Sequence, residues 1–375
     1  MSGPGPSIRV DPIATTEELA SLEGPWGDLL ERCPDRNVFM THRWFVTWWK
    51  HFGEGRRLQV VRFSLGDRVV GIAPLVLERK RLRYLPVRQL CFPGNGCSLQ
   101  SDLIFPEHRE EVFRAFVGHL ERTAKEWDVV FLDGISAGSS NLNLLRRALE
   151  GRSLSLAPPM TWDSLVLPVR GDWESYRQGL PQNLRKNLKV SDRRLQDLGE
   201  VAYRRFDRPE EMDGAFDILL QLERRSWKYR EGQAISRNEG FVDFFRDLAA
   251  QFSRRGHFQV RIIEVNGEAV SVIFVVVDAG TVYALKSWYD QRFSEASPGT
   301  AVFHYMVRDV WDSGVSEIYL DRKTFSCGQW TRETRRYHTL RLFNRRYYSA
   351  GIDWLRKRFS RRTSRTPEPM DQAAE

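Results

Sequence analysis

The sequence has little cysteine and little histidine. Its four cysteines, Cys33, Cys91, Cys97 and Cys327, show no paired metal-ligand spacing, and the seven histidines do not cluster with them. Structural zinc is therefore not expected. Long apolar runs are missing as well. The most hydrophobic stretch, "AVSVIFVVV" from Ala269 to Val277, suffices for a buried strand and falls well short of the roughly 20 residues of a membrane span. The opening "MSGPGPSIRVDP" has no apolar core of the kind a signal peptide carries, so the expectation is a cytoplasmic protein.

What is present describes a globular chain. Hydrophobic residues make up 41% and charged residues 28% of 375 residues, a length that is large for one core and comfortable for two. The net charge is +8, with an isoelectric point near 9.4. Much of the excess lies in "RKNLKVSDRR" (Arg185 to Arg194) and in "RRYYSAGIDWLRKRFSRRTSR" (Arg345 to Arg365). Nucleic acid, anionic lipid, a phosphorylated cofactor and plain solubility all fit this balance.

The chain is written twice. "LQVVRFSLGDRVVGIAPLVL" (Leu58 to Leu77) aligns without a gap under "FQVRIIEVNGEAVSVIFVVV" (Phe258 to Val277). Each is a β-branched run, a tight turn (Gly66-Asp67 or Asn266-Gly267) and a second β-branched run, the signature of a hairpin. The first is followed by a further strand near Ser101 to Phe105, the helix "EHREEVFRAFVGHLERTAKE" and the strand "WDVVFLDG". The second is followed by "TVYALKSWYD", a helix opening on Ser-Pro-Gly, and "VSEIYLDR". Two copies of β-β-β-α-β result. Val112, Phe116, His119 and Leu120 form the apolar stripe of one helix, and Phe303, Val307, Val310 and Trp311 that of the other. Helices are also expected over 209–229 and 240–254, with a helical connector between the copies interrupted near Pro181.

The start of the second helix is bare. Ser297 suits an N-cap, Pro298 the first helical position, and Gly299 leaves the first turn without a side chain. Such a junction offers free N–H groups and the positive end of the helix dipole to a phosphate, although an ordinary capped helix uses the same residues.

This element order resembles the tandem-GNAT proteins, the cellulose-biosynthesis-type acetyltransferases and the FemAB-like peptidyltransferases, over nearly the whole chain. "FMTHRWFVTWWKHFG", "LPQNLRKNLKVSDRRLQDLG", "LERRSWKYREG" and "SPGTAVFHYMV" carry the resemblance. "IYLDRKTFSCGQWTRETRRY" follows the family pattern in part. It keeps Arg322 and Gly328 but has Asp321, Glu333 and Arg336 where glycine, lysine and tryptophan are common. The resemblance implies an α/β (α+β) fold of two GNAT-like domains, each a mixed, mostly antiparallel sheet flanked by helices. Residues 1–170 form the first domain, without a cofactor site because "FPEHREE" replaces the phosphate loop. Residues 171–348 form the second, with the active cleft, and 349–375 a basic, partly disordered tail.

The implied activity is N- or O-acyl transfer from acetyl-CoA or another acyl-CoA, without a metal, to a small-molecule or glycan-type acceptor in polysaccharide or cell-envelope synthesis. Ser297, Gly299 and Thr300 would hold the pyrophosphate. The strand end at Trp288, Tyr289 and Asp290 would polarise the thioester carbonyl. Glu223 interrupts the apolar stripe of Phe216, Leu219, Leu220 and Trp227, as a base raised in pKa by burial or as an ion-pair partner of Arg224 or Lys228. Asp321 joins it as a second catalytic candidate and, with Arg322, would orient the acceptor; the alternative is that the two pair with each other. Trp227, Arg322 and Gly328 are the acceptor-side candidates, and Trp227, Trp288 and Tyr289 suit a pocket wall or a core equally. His304, beside Arg308 and Asp312, is expected in solvent. Two other readings stand: aminoacyl transfer from charged tRNA, and a non-catalytic binding module. The tail residues Arg356, Lys357, Arg358, Arg361 and Arg362 are expected to hold the protein at an anionic membrane surface.

Overall fold

The two aligned hairpins fold alike to the residue. In the computed structural model, which describes residues 7–360 apart from 83, 84, 233, 239 and 323–326 and only the backbone of 255, 321, 322, 347 and 355–360, both carry their β-bulge at the same aligned place. The register slips between Phe63 and Ser64 in the first and between Ile263 and Glu264 in the second. Each turn uses positive φ, at Gly66 in one and at Asn266 and Gly267 in the other.

In chain order the elements begin with β1 (Arg9–Ile13), α1 (Thr16–Ala20), α2 (Glu23–Glu31), α3 (His42–Phe52), β2 (Arg57–Leu58), β3 (Val60–Leu65) and β4 (Arg68–Ala73). Then come β5 (Val76–Leu82), β6 (Leu85–Cys91), α4 (Arg109–Arg122), β7 (Val129–Ser136), α5 (Ser140–Leu149) and β8 (Ser155–Leu156). The middle holds β9 (Met160–Pro168), α6 (Trp173–Gly179), α7 (Gln182–Leu198), β10 (Val201–Phe206), α8 (Met212–Arg225), α9 (Trp227–Arg230) and α10 (Phe241–Phe252). The remainder is β11 (Phe258–Val265), β12 (Glu268–Asp278), β13 (Thr281–Tyr289), α11 (Pro298–Trp311), β14 (Glu317–Arg322), β15 (Thr334–Phe343) and α12 (Tyr347–Ser360).

Two compact units divide at Trp162/Asp163 and at Arg335/Arg336. The sequence reading carries the second domain to 348. The backbone differs because β15 pairs antiparallel with β7, from Tyr337↔Ser136 to Phe343↔Val129, which returns the chain to the first unit. The segment expected as a loose tail is helical as far as Ser360, and Ile352 of α12 packs with Val87, Val129 and Phe343. Arg356, Lys357, Arg358, Arg361 and Arg362 lie outside the described side chains.

The first unit has a small sheet, β1-β3-β4, and a second in which β15, β7, β6, β5 and β2 are neighbours. No strand forms at 101–105. That segment contributes the single bridge Ile72↔Ile104, and β6 takes the place beside β7 in parallel pairing. The helix stripe is core as expected: Val112, Phe116, His119 and Leu120 are all buried. Burial, reinforced by Arg122, brings the His119 imidazole down from 6.5 to about 4. Between these values the unfolded chain binds the proton and the folded chain does not, so this site's contribution is complete above pH 6.5 and is lost as pH falls toward 4. The wild-type protein is therefore expected to lose about 3 kcal/mol on acidification that His119→Leu does not lose. Melting temperature against pH measures the difference, and parallel curves for the two proteins would refute it.

The second unit is a sheet in the order β10-β11-β12-β13-β14-β9. One face is covered by α7 and α11 through Leu184, Leu188, Leu195, Val302, Met306 and Val310. On the other face Phe216 of α8 and Phe245 of α10 meet Phe258 and Phe274. Gly199 ends α7 at φ 149°, and a Cβ there would collide with the Asn266 side chain. Asn266 accepts from the Glu200 amide and donates to the Leu198 carbonyl, which fastens the hairpin turn to the end of that helix.

Candidate active site

β13 and β14 run parallel but pair only over Thr281↔Glu317, Val282↔Ile318 and Tyr283↔Tyr319. Beyond these pairs β13 follows β12 as far as Tyr289↔Ser271, while β14 follows β9 as far as Arg322↔Ser164. The strands therefore part at their carboxyl ends. The register of β13 against β12 also slips there, from Val275↔Ala284 to Phe274↔Lys286, which leaves Leu285 out of step. Alternate backbone groups of the parted stretch face a gap rather than a neighbouring strand. A crevice at the carboxyl ends of parallel strands is a common ligand position in α/β sheets.

From the end of β13 the chain passes through a 3-10 turn, Gln291–Ala296, into α11. Ser297 adopts the left-handed region (φ 52°, ψ 49°) and its side chain makes no cap. Its carbonyl accepts from the Thr300 and Ala301 amides at 3.0 and 3.2 Å. This corrects the expectation for Thr300, whose amide is engaged within the turn, and for Ser297, whose side chain does not cap. Among the described residues the Gly299 amide has no acceptor, and it stands at the positive end of a fourteen-residue helix. A Cβ at Gly299 would lie 3.1 Å from the Tyr289 ring, so the bare α-carbon is what lets helix and strand approach. Helix α7 supports the turn: Ser191 Oγ donates to the Ala296 carbonyl at 2.6 Å, and Arg194 donates to the Glu295 carbonyl. The unengaged Gly299 amide and the neighbouring cationic helix together offer a donor and positive charge to an anion.

The first copy repeats the backbone but carries Glu110 at the position equivalent to Gly299. His108 before α4 is also left-handed (φ 44°, ψ 40°) and uncapped by a side chain. The Glu107 carboxylate beside it is held by Arg32 and Arg68, and Arg109 donates to Ser140 and Asn141 at 2.7 Å. An anion would meet a carboxylate there.

On the other face, α8 stops at Arg225. Ser226 is extended (φ −84°, ψ 158°) and caps α9 through the Tyr229 amide, so Glu223 and Trp227 do not share one continuous helix as the spacing predicts. Glu223 is fully buried. Its Oε1 accepts from the Ile235 amide at 2.6 Å and its Oε2 from the Ser236 amide at 3.0 Å. Both oxygens of this base candidate thus accept from the backbone of the Ile235–Arg237 turn, an engagement that the sequence reading, with its ion-pair alternative at Arg224 or Lys228, did not include. Lys228 is the group sequence reasoning passed over, having named it only as an ion-pair partner. Its Nζ donates to the Ser287 carbonyl of β13 at 3.0 Å and lies 5.8 Å from the Trp227 ring centroid. Burial lowers its pKa, Lys286 adds to the effect, and Glu223 opposes it. A second missed pair is Ser164 and Tyr319, whose hydroxyls stand 2.5 Å apart on β9 and β14. Nothing in their separation of 155 residues signals the pairing.

The remaining expectations divide. Trp288 is buried against Phe274 and belongs to the aromatic core, whereas Tyr289 faces Gly299. The Asp290 amide donates to the Val270 carbonyl at 2.9 Å and is not open to a ligand. Burial pushes the Asp290 carboxyl up, but hydrogen bonds from Arg292 outweigh it and hold the group below the usual range. Asp321 and Arg322 end β14, with side chains outside the described set. Gly328 lies in a 3-10 turn, Cys327–Gln329. His304 is half-buried near Trp173 and Tyr305 rather than solvated, and burial lowers its pKa. Among the described residues no group of three His, Cys, Asp or Glu is placed to hold a metal, and no helix is long and apolar enough to cross a membrane.

No curated protein matches the chain at a significant level. Among solved structures, FemX shares 9% identity and a TM-score of 0.61, covering 92% of this chain and 99% of its own. A conserved protein of unknown function from Bacteroides thetaiotaomicron shares 11% identity and a TM-score of 0.54, covering 90% of this chain and all of its own. L-PGS from Bacillus licheniformis shares 11% identity and a TM-score of 0.51, covering 90% of this chain and 96% of its own. Residues 182–326, which hold α7, the parted strands and the bare start of α11, match the family model of the acetyltransferase (GNAT) domain, and the chain as a whole is similar in fold to FemX along most of its length.

Proposed function

We propose that residues 163–335 transfer an acyl group, acetyl in the first instance, from acyl-CoA to an amine or hydroxyl of a small or glycan-type acceptor in envelope or polysaccharide synthesis. The observation that carries this reading is the parting of β13 and β14 directly before an unengaged helix N-terminus. An acyl-CoA bound there supplies an acyl group already activated as a thioester. Gly299 offers its amide to the pyrophosphate, Arg194 adds positive charge, and gap-facing amides of the parted β13 lie where a carbonyl oxygen needs donors. Lys228, an amine of lowered pKa fixed to β13, is assigned to take the proton from the acceptor. Glu223 acts through the turn it holds at Ile235 and Ser236, as a positioning residue.

A second reading, aminoacyl transfer from charged tRNA, draws support from the exposed Lys186, Lys189, Arg193 and Arg194 along α7 and from the FemX-like fold. Calorimetry with acetyl-CoA, longer acyl-CoAs and charged tRNA separates the two. The expected result is acetyl-CoA binding with slow hydrolysis, unchanged in Glu107→Gln because the first copy holds no donor. Salt-sensitive binding of tRNA alone would favour the second reading, binding without any turnover a non-catalytic module, and a large loss in Glu107→Gln would mean that the donor sits in the other copy.

A further inference from the structure

The first unit has a groove of about 1020 Å³ lined by Arg79, Arg88, Arg345, Arg346, Asp128 and Tyr348, with Pro86 and Val87 as its apolar part. Four guanidinium groups thus face one carboxylate. Arg79 and Arg88 stand directly opposite each other across β5 and β6, a like-charge cross-strand pair that destabilises a sheet unless an anion joins it. Asp128 does not relieve Arg79, because it is already taken by Arg88. Its Oδ1 accepts from Arg88 Nη2 at 2.7 Å, and its Oδ2 accepts from the Arg88 amide and Nε at 2.8 and 3.0 Å. Neither Arg79 nor Arg345 has an acidic partner among the described residues.

The other wall is built rather than loose. Buried Asn344 donates to the Ala124 and Trp127 carbonyls and accepts from the Arg346 amide, and buried Ser349 accepts from the Asn344 amide and donates to the Asp128 carbonyl. The turn that carries Arg345 and Arg346 is thereby fixed from below, while both side chains reach solvent. The Tyr348 hydroxyl donates to the Pro86 carbonyl at 2.5 Å, which leaves a fixed aromatic ring at the rim.

Planar guanidinium groups on a rigid frame match the bidentate geometry of phosphate oxygens, and three with donors to spare exceed what a single negative charge needs. We infer that this groove binds a ligand through a phosphate or pyrophosphate group of more than one negative charge, independently of the acyl-transfer cleft. The volume is that of a small-molecule site, with room for more than the phosphate itself.

The test uses the full chain and inorganic pyrophosphate in calorimetry at low and moderate salt. Phosphatidylcholine vesicles with and without phosphatidic acid form a second arm. Arg79→Gln combined with Arg345→Gln should weaken binding at least tenfold, whereas Arg170→Gln, on another exposed arginine, should leave it unchanged. Pyrophosphate binding identifies a soluble ligand as the source, and binding confined to phosphatidic acid vesicles a lipid headgroup; either supports the site if the double variant weakens it at least tenfold. Failure to bind either probe, or equal weakening by Arg170→Gln, overturns it.

Discussion

Gly299→Glu is expected to lower acyl-CoA affinity by about 100-fold or more while the protein stays folded. The substitution places a carboxylate where the first turn of α11 now offers an amide and no side chain, so charge repulsion and steric block act together. The structure refines the expectation at one point, because a Cβ at this position meets the Tyr289 ring at 3.1 Å. Gly299→Ala should therefore already weaken binding by displacing that ring, with a smaller effect than the glutamate. Calorimetry with acetyl-CoA, alongside a melting curve, decides. Unchanged affinity in Gly299→Glu would remove the donor from this helix.

Glu223 and Lys228 should separate in what they damage. Glu223→Gln keeps the shape but turns an NH₂ toward one of two backbone donors, the buried Ile235 amide or the part-buried Ser236 amide, and leaves that donor unsatisfied. A loss of about 3 kcal/mol is expected. Amide hydrogen exchange at Ile235 and Ser236 should accelerate specifically, while turnover per folded molecule changes little. Lys228→Met should instead spare stability and lower turnover by about 10²-fold or more, and the wild-type rate should rise with pH as the lysine loses its proton. If exchange at Ile235 and Ser236 is unaltered and Glu223→Gln loses turnover, the assignments of the two residues must be exchanged.

The parts of this molecule legible in the sequence are those set by neighbours in the chain. β-Branched runs around Gly66-Asp67 and Asn266-Gly267 specify hairpins locally, and their shared bulge follows from shared register. The stripes of α4 and α11 were readable for the same reason. What escaped was fixed by distant partners. Glu223 reads as an oddity on an apolar face because the amides that justify it come from a loop that sequence does not fold. Lys228 reads as an ordinary helix-end cation until β13 supplies a carbonyl. The break at Ser226 did have a local signal, a serine able to cap Tyr229, which the surrounding helical pattern masked. β15 was not separable from the second domain, since its partner β7 lies some two hundred residues earlier, as in the pair His338↔Ile135.

That last pairing has a consequence for synthesis on the ribosome. The second unit is one uninterrupted segment and has all its strands as soon as Arg335 has emerged. The first unit is translated earlier but waits for β15, and until then β7 presents an unpaired edge beside β6. The domain made first is the one finished last, so a chain released prematurely after Arg335 would carry a completed second unit and an exposed, aggregation-prone sheet margin in the first.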